Sequence, residues 1–587
     1  MNRLDRDILI SLSVKPFVSQ RILSETSGCS IGAVNQSLKN LVNEGCLTKD
    51  MSLTKKAEDI LEMHAPKNAI ILAAGFGMRM VPINHEIPKA LVEVHGEPLI
   101  ERTIRLLREV GVEEIHVVAG FMKEQLEYLL DDYGVNLIIN EEYAQKNSLH
   151  SLALAAEHLS NTYVIPCDLW SERNLFREKE LYSWYMVSDA PDPESRIRVN
   201  RKKELVKTTG RQMGNQMIGI SYLTGETAQE VKKRLQAYDH DSRYQNAFWE
   251  ETLYDADRMI LQARVVSEAD VTEINTYEQL RELDEDSNNL RTDAIEIIMD
   301  VFDAGMRDIK DITILKKGMT NRSFLFTCKE KKYIMRIPGE GTDYLINRKE
   351  EADVYRAIDD KDICDPIVYI NPDNGYKITE YYENTRVCDP DNVEDLKRCM
   401  KKLKNFHDMN LKVSHTFSLF ERIDYYESLW DGIPSGYRDY RKTKESVFSL
   451  QSYIKEHTEK MCLTHIDAVP DNFLFVKKGE EEELRLIDWE YSAMQDPHLD
   501  IAMFCIYAMY DKEKVDRLID IYFDDQCPPE TRIKIYCYIA ACGLLWSNWC
   551  EYKRILGVEF GEYSLRQYRY AKEYYRIAKG LMQHDEH

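Results

Sequence analysis

Residues 72–91 read LAAGFGMRMVPINHEIPKAL, and how this stretch is read decides the architecture around it. The run leading into it, AIILAAG from Ala69, is continuously apolar, as expected of a strand covered on both faces by helices. It ends in Gly75-Phe-Gly77-Met-Arg79, with no helix immediately behind, which departs from the G-x-G-x-x-G of dinucleotide folds. Glycines at 75 and 77 remove side chains, so backbone N–H groups can approach an anion closely. Arg79 and Lys89 flank a Pro-containing loop and offer two fixed cations. A bare Gly-x-Gly also suits an ordinary turn; the longer string L-A-A-G-x-G-x-R…P-K-A-L is more specific.

Outward from this bend the chain alternates. PLIERTIRLLREVG, KEQLEYLLDD and SLHSLALAAEHL carry helical spacing, and EIHVVAG, VNLIIN and TYVIPCD read as strands between them. That rhythm predicts an α/β, Rossmann-like domain with a mostly parallel sheet over residues 66–288. TYVIPCD places Asp168 at the C-terminal end of a strand, where open α/β sheets bind ligands; a helix N-cap is the other reading. The polar stretch LDEDSNNLRTD, residues 283–293, predicts a linker.

Beyond it, ITILKKGMTNRSFLFTCKEKKYIMRI alternates like an antiparallel sheet, and helix-rich sequence follows. A small sheet before a helical bulk predicts an α+β, kinase-like, two-lobed fold over residues 295–587. Within it, residues 464–475 read THIDAVPDNFLF, and RLIDWEYS follows with Asp488 closing an apolar strand. An aspartate, an asparagine five residues on and a second aspartate match phosphotransferase logic. Asp467 accepts a hydroxyl proton, while Asn472 and Asp488 hold Mg2+ on phosphates. The loop containing Thr320 and Asn321 falls between strands, where it covers phosphates. Arg336 stands where many kinases carry a lysine, oriented by Glu351. YKITEYYE places the backbone of Glu380 at an adenine-contacting hinge.

Residues 1–64 read as three helices, a short two-stranded wing and a tail helix, the plan of a winged helix-turn-helix. Two readings stand: DNA binding through a recognition helix from Ser30 to Lys39, or an adaptor or dimerisation module. Eight basic residues balance eight acidic ones over this segment, whereas phosphate neutralisation normally supplies much of DNA affinity.

A length of 587 residues predicts several cores, and 44% hydrophobic content places the chain among globular proteins. The net charge of −24 argues against coating nucleic acid or anionic lipid. Thirteen cysteines without a C-x-x-C pair indicate reduced thiols. The start MNRLDRDILISLSV lacks a signal peptide, and IYCYIAACGLLW is too short to span a bilayer, so a cytoplasmic protein without membrane insertion is expected.

Four resemblances rest on these motifs. The first segment resembles MarR-like winged helices. The string from Leu72, Ala73 and Ala74 through Gly75, Gly77, Arg79 and Lys89 resembles nucleotidyltransferases that activate sugars and phospho-alcohols. That resemblance implies nucleotide contacts along the string, catalytic cations at Arg79 and Lys89, and Mg2+ on Asp168. It implies a second ligand in VTEINTYEQLREL, at Glu273 or Asn275, where the family's usual aspartates are absent. KNSLHSLALAAEHL resembles bacterial phosphocholine cytidylyltransferases, which implies that Asn147 and Ser148 orient substrate. Trp170, Trp184, Tyr185 and Trp249 could face a trimethylammonium group or belong to the core.

Residues 295–587 resemble bacterial choline kinases, on MTNRSF, MRIPGEGT, HIDAVPDN, IDWEYSAMQDPHLDIA and LLWSNW. Trp546 and Trp549 lie three apart and share a helix face, as two walls of a cation cage need. Tyr491 supplies another wall, with Glu490 or Asp500 as counter-charge. Together these imply choline and ATP giving phosphocholine, then phosphocholine and CTP giving CDP-choline. The alternatives are the same reactions on ethanolamine, a sugar-phosphate nucleotidyltransferase fused to a small-molecule kinase, and a ligand-sensing transcription regulator with degenerate enzyme domains.

Overall fold

The computed structural model describes residues 1–209, 212–315, 321–339, 346–555 and 560–585, the side chains of 321, 584 and 585 excepted. It divides into two compact units, residues 1–296 and 297–587.

In the first unit, helices Arg3–Val14, Gln20–Ser27 and Ile31–Asn43 precede a wing reduced to one antiparallel bridge, Leu47 to Leu53, and a helix Lys55–Met63. Ser30 caps the third helix by accepting from the Ala33 amide at 3.3 Å, the role that keeps serine out of helix interiors. Ile8, Leu9, Val34, Leu38 and Leu41 form its core, and Leu181 of the following domain completes it. Tyr182 donates to Asp7 at 2.7 Å, Arg3 donates to the Ala263 carbonyl at 3.0 Å, and Lys179 pairs with Glu62. The winged helix is packed against the α/β domain, not strung beside it.

That α/β domain is built on a ten-stranded sheet. Along its main path the strands run Asn136–Ile139, Glu114–Ala119, Asn68–Ala73, Thr162–Pro166, Gly214–Leu223, Trp184–Asp192, Arg258–Val266, Glu204–Lys207 and Ile197–Val199. The first four are mutually parallel; beyond them the sheet mixes directions. Alternate side chains of the Asn68–Ala73 strand enter two cores. Ala69, Ile71 and Ala73 face the helix Leu99–Glu109, and Ile70 faces the helix Ser148–Leu154. The expected helix KEQLEYLLDD is instead a 3-10 turn, Lys123–Leu126, and a short helix, Leu129–Tyr133.

The expected linker at 283–293 is tied down. Asp284 accepts from the His95 amide and Asn289 from the Glu93 amide, both at 2.6 Å, and Ser287 donates to the Glu93 carbonyl at 2.8 Å. Polar residues here close loops instead of floating, and the chain passes directly into the helix Asp293–Phe302.

The second unit opens with a five-stranded antiparallel sheet, in the order Ile309–Ile314, Asn321–Cys328, Lys331–Pro338, Lys377–Glu380, Ile367–Ile370. A helical bulk follows, centred on the helices Pro529–Ile555 and Glu562–Asp585. Gly543 permits their close crossing: a Cβ there would lie 2.7 Å from the Gln567 carbonyl oxygen and from Tyr570 Cβ. Among the described residues no helix is long and apolar enough to cross a membrane.

Candidate active sites

In the first unit the strand Asn68–Ala73 delivers Ala74, Gly75 and Gly77 to the C-terminal edge of the sheet, with Leu72 half-buried and Ala73 and Ala74 buried. Gly77 has φ +60°, and Asn84 donates to the carbonyls of Phe76 and Gly77 at 3.3 and 3.1 Å, holding the bend. A Cβ at Gly75 would meet nothing within 4 Å, so the bend opens onto space. A Cβ at Gly120 would lie 2.8 Å from the Ala74 carbonyl oxygen, which explains a glycine the sequence did not flag.

Over this bend five expected residues converge. Lys89 Nζ donates to Asp168 Oδ2 at 2.5 Å and to Asn275 Oδ1 at 2.7 Å, and Arg79 donates to the same Asn275 oxygen at 2.8 Å. Asp168 begins the turn into the short strand Leu169–Ser171, which pairs with Val271–Glu273 and so brings Glu273 alongside. Burial, then the charge of Asp168, pushes the Glu273 carboxyl up. Asn275 was expected as a metal ligand, but its carbonyl oxygen already accepts from two cations and has no free lone pair to offer. Asp168 Oδ1, by contrast, is buried and without a hydrogen-bond partner among the described residues. An orphaned carboxylate oxygen beside a second carboxylate suits a hard divalent cation.

The expected substrate residues are placed differently. Asn147 caps its helix and donates to the Asn246 carbonyl at 3.3 Å, while Ser148 Oγ accepts from the Trp249 amide at 3.1 Å. Both close the loop before Trp249, and neither side chain is left solely for a ligand. Trp170 is buried, with the Arg102 guanidinium 3.8 Å from its ring centre. Trp184 lies in the core beneath Arg264. Trp249 is buried with its ring centre 6.2 Å from that of Tyr185.

Beside this pair stands Glu250, which sequence reasoning missed. It accepts from Tyr185 Oη at 2.9 Å through one oxygen, and the other is buried without a partner among the described residues. Burial pushes its carboxyl up to about 7. The Tyr185 hydroxyl is raised by burial and then by Glu250, with Glu273 a smaller contributor.

In the second unit the turn after Cys462–Thr464 carries Asp467, and that after Glu481–Leu486 carries Asp488. Ile466 has φ +70° and Asp488 φ +67°. A β-branched residue in the left-handed region is costly and persists only where surrounding contacts impose it. Those contacts come from Asp500, whose oxygens accept from the amides of His465 at 3.0 Å and Ile466 at 2.7 Å, and from His407 Nε2 at 2.9 Å. Asp500 was expected as a counter-charge for substrate; fully buried and triply bonded, it braces the loop instead. His465 joins the two turns through Nε2 to the Ile487 carbonyl at 3.0 Å, and burial lowers its basicity.

Asn472 Nδ2 donates to the Asp467 carbonyl at 2.8 Å and to its carboxylate at 3.2 Å. Burial, followed by the charges of Asp488 and Glu490, pushes the Asp467 carboxyl up to about 8. Among the described residues neither Asp467 nor Asp488 forms an ion pair. Three crowded carboxylates beside a carboxamide oxygen fit a divalent cation.

Arg336 makes a bidentate pair with Glu351 at 2.6 and 2.8 Å and reaches the Gly375 carbonyl at 3.0 Å. Against the upward push of burial, the Arg336 charge holds the Glu351 carboxyl down at about 2. Glu490 lies 3.5 Å from Arg336 and 3.6 Å from Arg348, so its charge is shared with arginines before any substrate arrives. The Glu380 amide donates to the Pro366 carbonyl at 3.1 Å and is committed there. Thr320 lies outside the described residues, as does the side chain of Asn321.

The aromatic residues do assemble. Trp546 and Trp549 have ring centres 5.4 Å apart at 71°, and Tyr491 meets Trp546 at 6.3 Å and 79°. Phe560, 5.0 Å from Trp549, extends the cluster. Tyr491 directly follows Glu490 and lies three residues after Asp488, which ties the box to the acidic turn, and burial, then neighbouring charges including Glu490 and Asp467, shift it upward. Tyr426 feels the same two carboxylates and is pushed up to about 12 by burial first. Neither Phe560 nor Tyr426 sits in a motif that marks it.

Comparison with known proteins divides the chain in three. Family models match at residues 1–48 (winged helix-turn-helix DNA-binding), 69–175 (MobA-like NTP transferase domain) and 312–538 (choline/ethanolamine kinase). The chain is 31% identical over 221 residues to a choline-phosphate cytidylyltransferase of Streptococcus pneumoniae, covering 37% of this chain and 96% of that protein. It is 29% identical over 267 residues to Protein LicA of Haemophilus influenzae, covering 42% of this chain and 96% of that protein. A solved choline kinase LicA from Streptococcus pneumoniae is 29% identical and covers 48% of this chain and 98% of its own, with a TM-score of 0.43.

Proposed function

Since the chain belongs to the choline-phosphate cytidylyltransferase family in its central part and carries a choline/ethanolamine kinase domain behind it, we propose that it converts choline to CDP-choline in two steps. The γ-phosphoryl group of ATP passes to the choline oxygen, leaving ADP. A phosphate oxygen of the phosphocholine formed then attacks the α-phosphorus of CTP, and the bond to pyrophosphate breaks. The observation that carries this reading is the box of Tyr491, Trp546 and Trp549, whose Tyr491 continues the Asp488–Glu490 turn, because aromatic faces beside carboxylates select a quaternary ammonium ion.

At the kinase site Asp467 takes the hydroxyl proton, and Asn472 fixes its carboxylate. Arg336, anchored by Glu351, presents positive charge toward ATP phosphates. Asn472 and Asp488 would hold one Mg2+ here, and Asp168 and Glu273 another at the cytidylyl site, where the metal supplies neutralisation of phosphate charge. At that second site Lys89 and Arg79 stabilise charge on the triphosphate over the Gly75–Gly77 bend. Tyr185, Trp249 and Glu250 take the trimethylammonium end of phosphocholine, with Glu250 as its counter-charge.

Incubation with choline, ATP, CTP and Mg2+, followed by mass spectrometry, tests the reading. CDP-choline is expected, with phosphocholine accumulating when CTP is omitted. Absence of both products, or CDP-ethanolamine formed in preference from mixed substrates, would overturn it.

A further inference from the structure

The parallel half of the α/β sheet has a second cluster of ligand-type side chains, at the end opposite the glycine bend. Glu114 and His116 are two residues apart on the strand Glu114–Ala119 and so project from the same face. The turn Ala156–His158 packs over that face and brings in His158. One ligand-type atom from each of the three lies within 4.8 Å of the others. Glu114 pairs with Asn68 and Ala119 with Ala73 in the sheet, so five residues, about 16 Å of strand, separate this cluster from the Gly75 bend. It is not part of either phosphate-handling site.

Its chemistry is unexplained by packing alone. His116 is buried, and its Nδ1 has no partner among the described residues. Its Nε2 lies 3.1 Å from Glu114 Oε1. The His116 and His158 rings are stacked with centres 3.7 Å apart, and Glu157 lies 3.5 Å from His158 Nε2. Among the described residues no lysine or arginine pairs with Glu114 or Glu157. Glu114 thus lies beside His116, and Glu157 beside His158.

The structure assigns a transition-metal site of the zinc class to Glu114, His116 and His158. Two imidazole nitrogens and carboxylate oxygens suit a borderline-soft divalent ion with tetrahedral preference, and they suit magnesium poorly. Strand residues two apart supply a rigid pair of ligands. The third, His158, has its backbone fixed by the Asn68 side chain donating to its carbonyl at 2.9 Å. Imidazole lone pairs lie in the ring planes, so one ion bound by both rings requires the partly exposed His158 ring to turn out of the stack about Cβ–Cγ. An ion there would clamp the start of this strand to the 156–158 turn, close to where Asn161 donates to the Met63 carbonyl at the winged-helix exit.

The test uses the full chain, stripped with chelator and titrated with Zn2+ against a zinc-responsive chromophore. Millimolar Mg2+ is present throughout to fill the oxygen-ligand sites. One Zn2+ equivalent is expected in the native protein and lost, or weakened at least a hundredfold, in His158→Ala. Glu114→Gln, at an exposed position that does not endanger folding, should weaken it at least tenfold. Co2+ should give visible tetrahedral absorption bands in the native protein that His158→Ala lacks. Equal zinc binding in native and variant chains, or no tight equivalent in the native chain, would overturn the assignment.

Discussion

The two phosphate-handling sites meet the same electrostatic demand in opposite ways. In the cytidylyl site the cations are built in: Lys89 and Arg79 lie within 2.8 Å of the Asp168 and Asn275 oxygens. In the kinase site, among the described residues, Asp467 and Asp488 have no such cation, and Asp467 is pushed up to about 8 by burial, Asp488 and Glu490. Arg336, a permanent charge of the same unit, is tied to Glu351. Transfer at an α-phosphorus expels pyrophosphate, and a fixed ammonium group can follow that developing charge. Proton removal from an alcohol needs a carboxylate without a competing cation bonded to it. The difference therefore follows from which atom carries the growing charge in each reaction.

The largest effect should come from crossing the two sites. Asp467→Asn should lower choline phosphorylation by about a thousandfold, in line with loss of a general base, and leave CTP-dependent conversion of added phosphocholine unchanged. Asp168→Asn should do the reverse. Measuring each half-reaction separately decides the matter, and a parallel fall of both in either variant would break the contrast between independent centres.

How much of this was legible in the sequence depended on whether a role is carried by local pattern. The glycine bend, Asp168 and the Asp467–Asn472–Asp488 set announce themselves, because backbone nests and phosphotransfer turns need fixed residue types at fixed spacing. Trp546 and Trp549 follow from helical periodicity. Glu250 did not show, since an isolated glutamate in FWEETLYD gains its significance only when burial strips its solvent. Asp500 was visible as an acid near the box, but only the fold reveals that loop amides occupy it. The stretch 283–293 has the composition of a linker, and its polarity serves hydrogen bonds to Glu93 and His95 instead.

A smaller effect should separate the two aromatic corners. Trp546 is partly buried against the core, and Trp546→Ala removes a cage wall. Choline KM for phosphorylation should rise about tenfold, the worth of roughly 1–2 kcal/mol of cation–π attraction, with a much smaller change for ethanolamine. Equal changes for both substrates would reduce the box to simple packing. At the cytidylyl corner the signature is pH. With its carboxyl near 7, Glu250 is protonated in much of the free enzyme at neutral pH, and a bound cation favours the ionised form. Phosphocholine KM should therefore fall as pH rises from 6 to 8. Glu250→Gln should give a higher KM without that dependence, and a native KM flat over this range would remove Glu250 from the site.

The smallest effect concerns what stands beside only one of the sites. Leu181 completes the winged-helix core and Tyr182 donates to Asp7, and both end the segment that starts at the Asp168 turn. Tyr182→Phe keeps the ring in place and leaves the half-buried Asp7 carboxylate without this donor. A hydrogen bond to a charged acceptor contributes about 1.5–3 kcal/mol, at the low end where water can take its place. Spread over a unit of nearly three hundred residues, that is a fall of a few degrees in the midpoint of the transition that includes the first unit. Calorimetry of the intact chain should show that transition move while the kinase half-reaction keeps its rate. A shift of similar size in a variant outside the first unit, such as Lys478→Ala at an exposed position of the kinase unit, would mean that the measurement reports general fragility and not this dock.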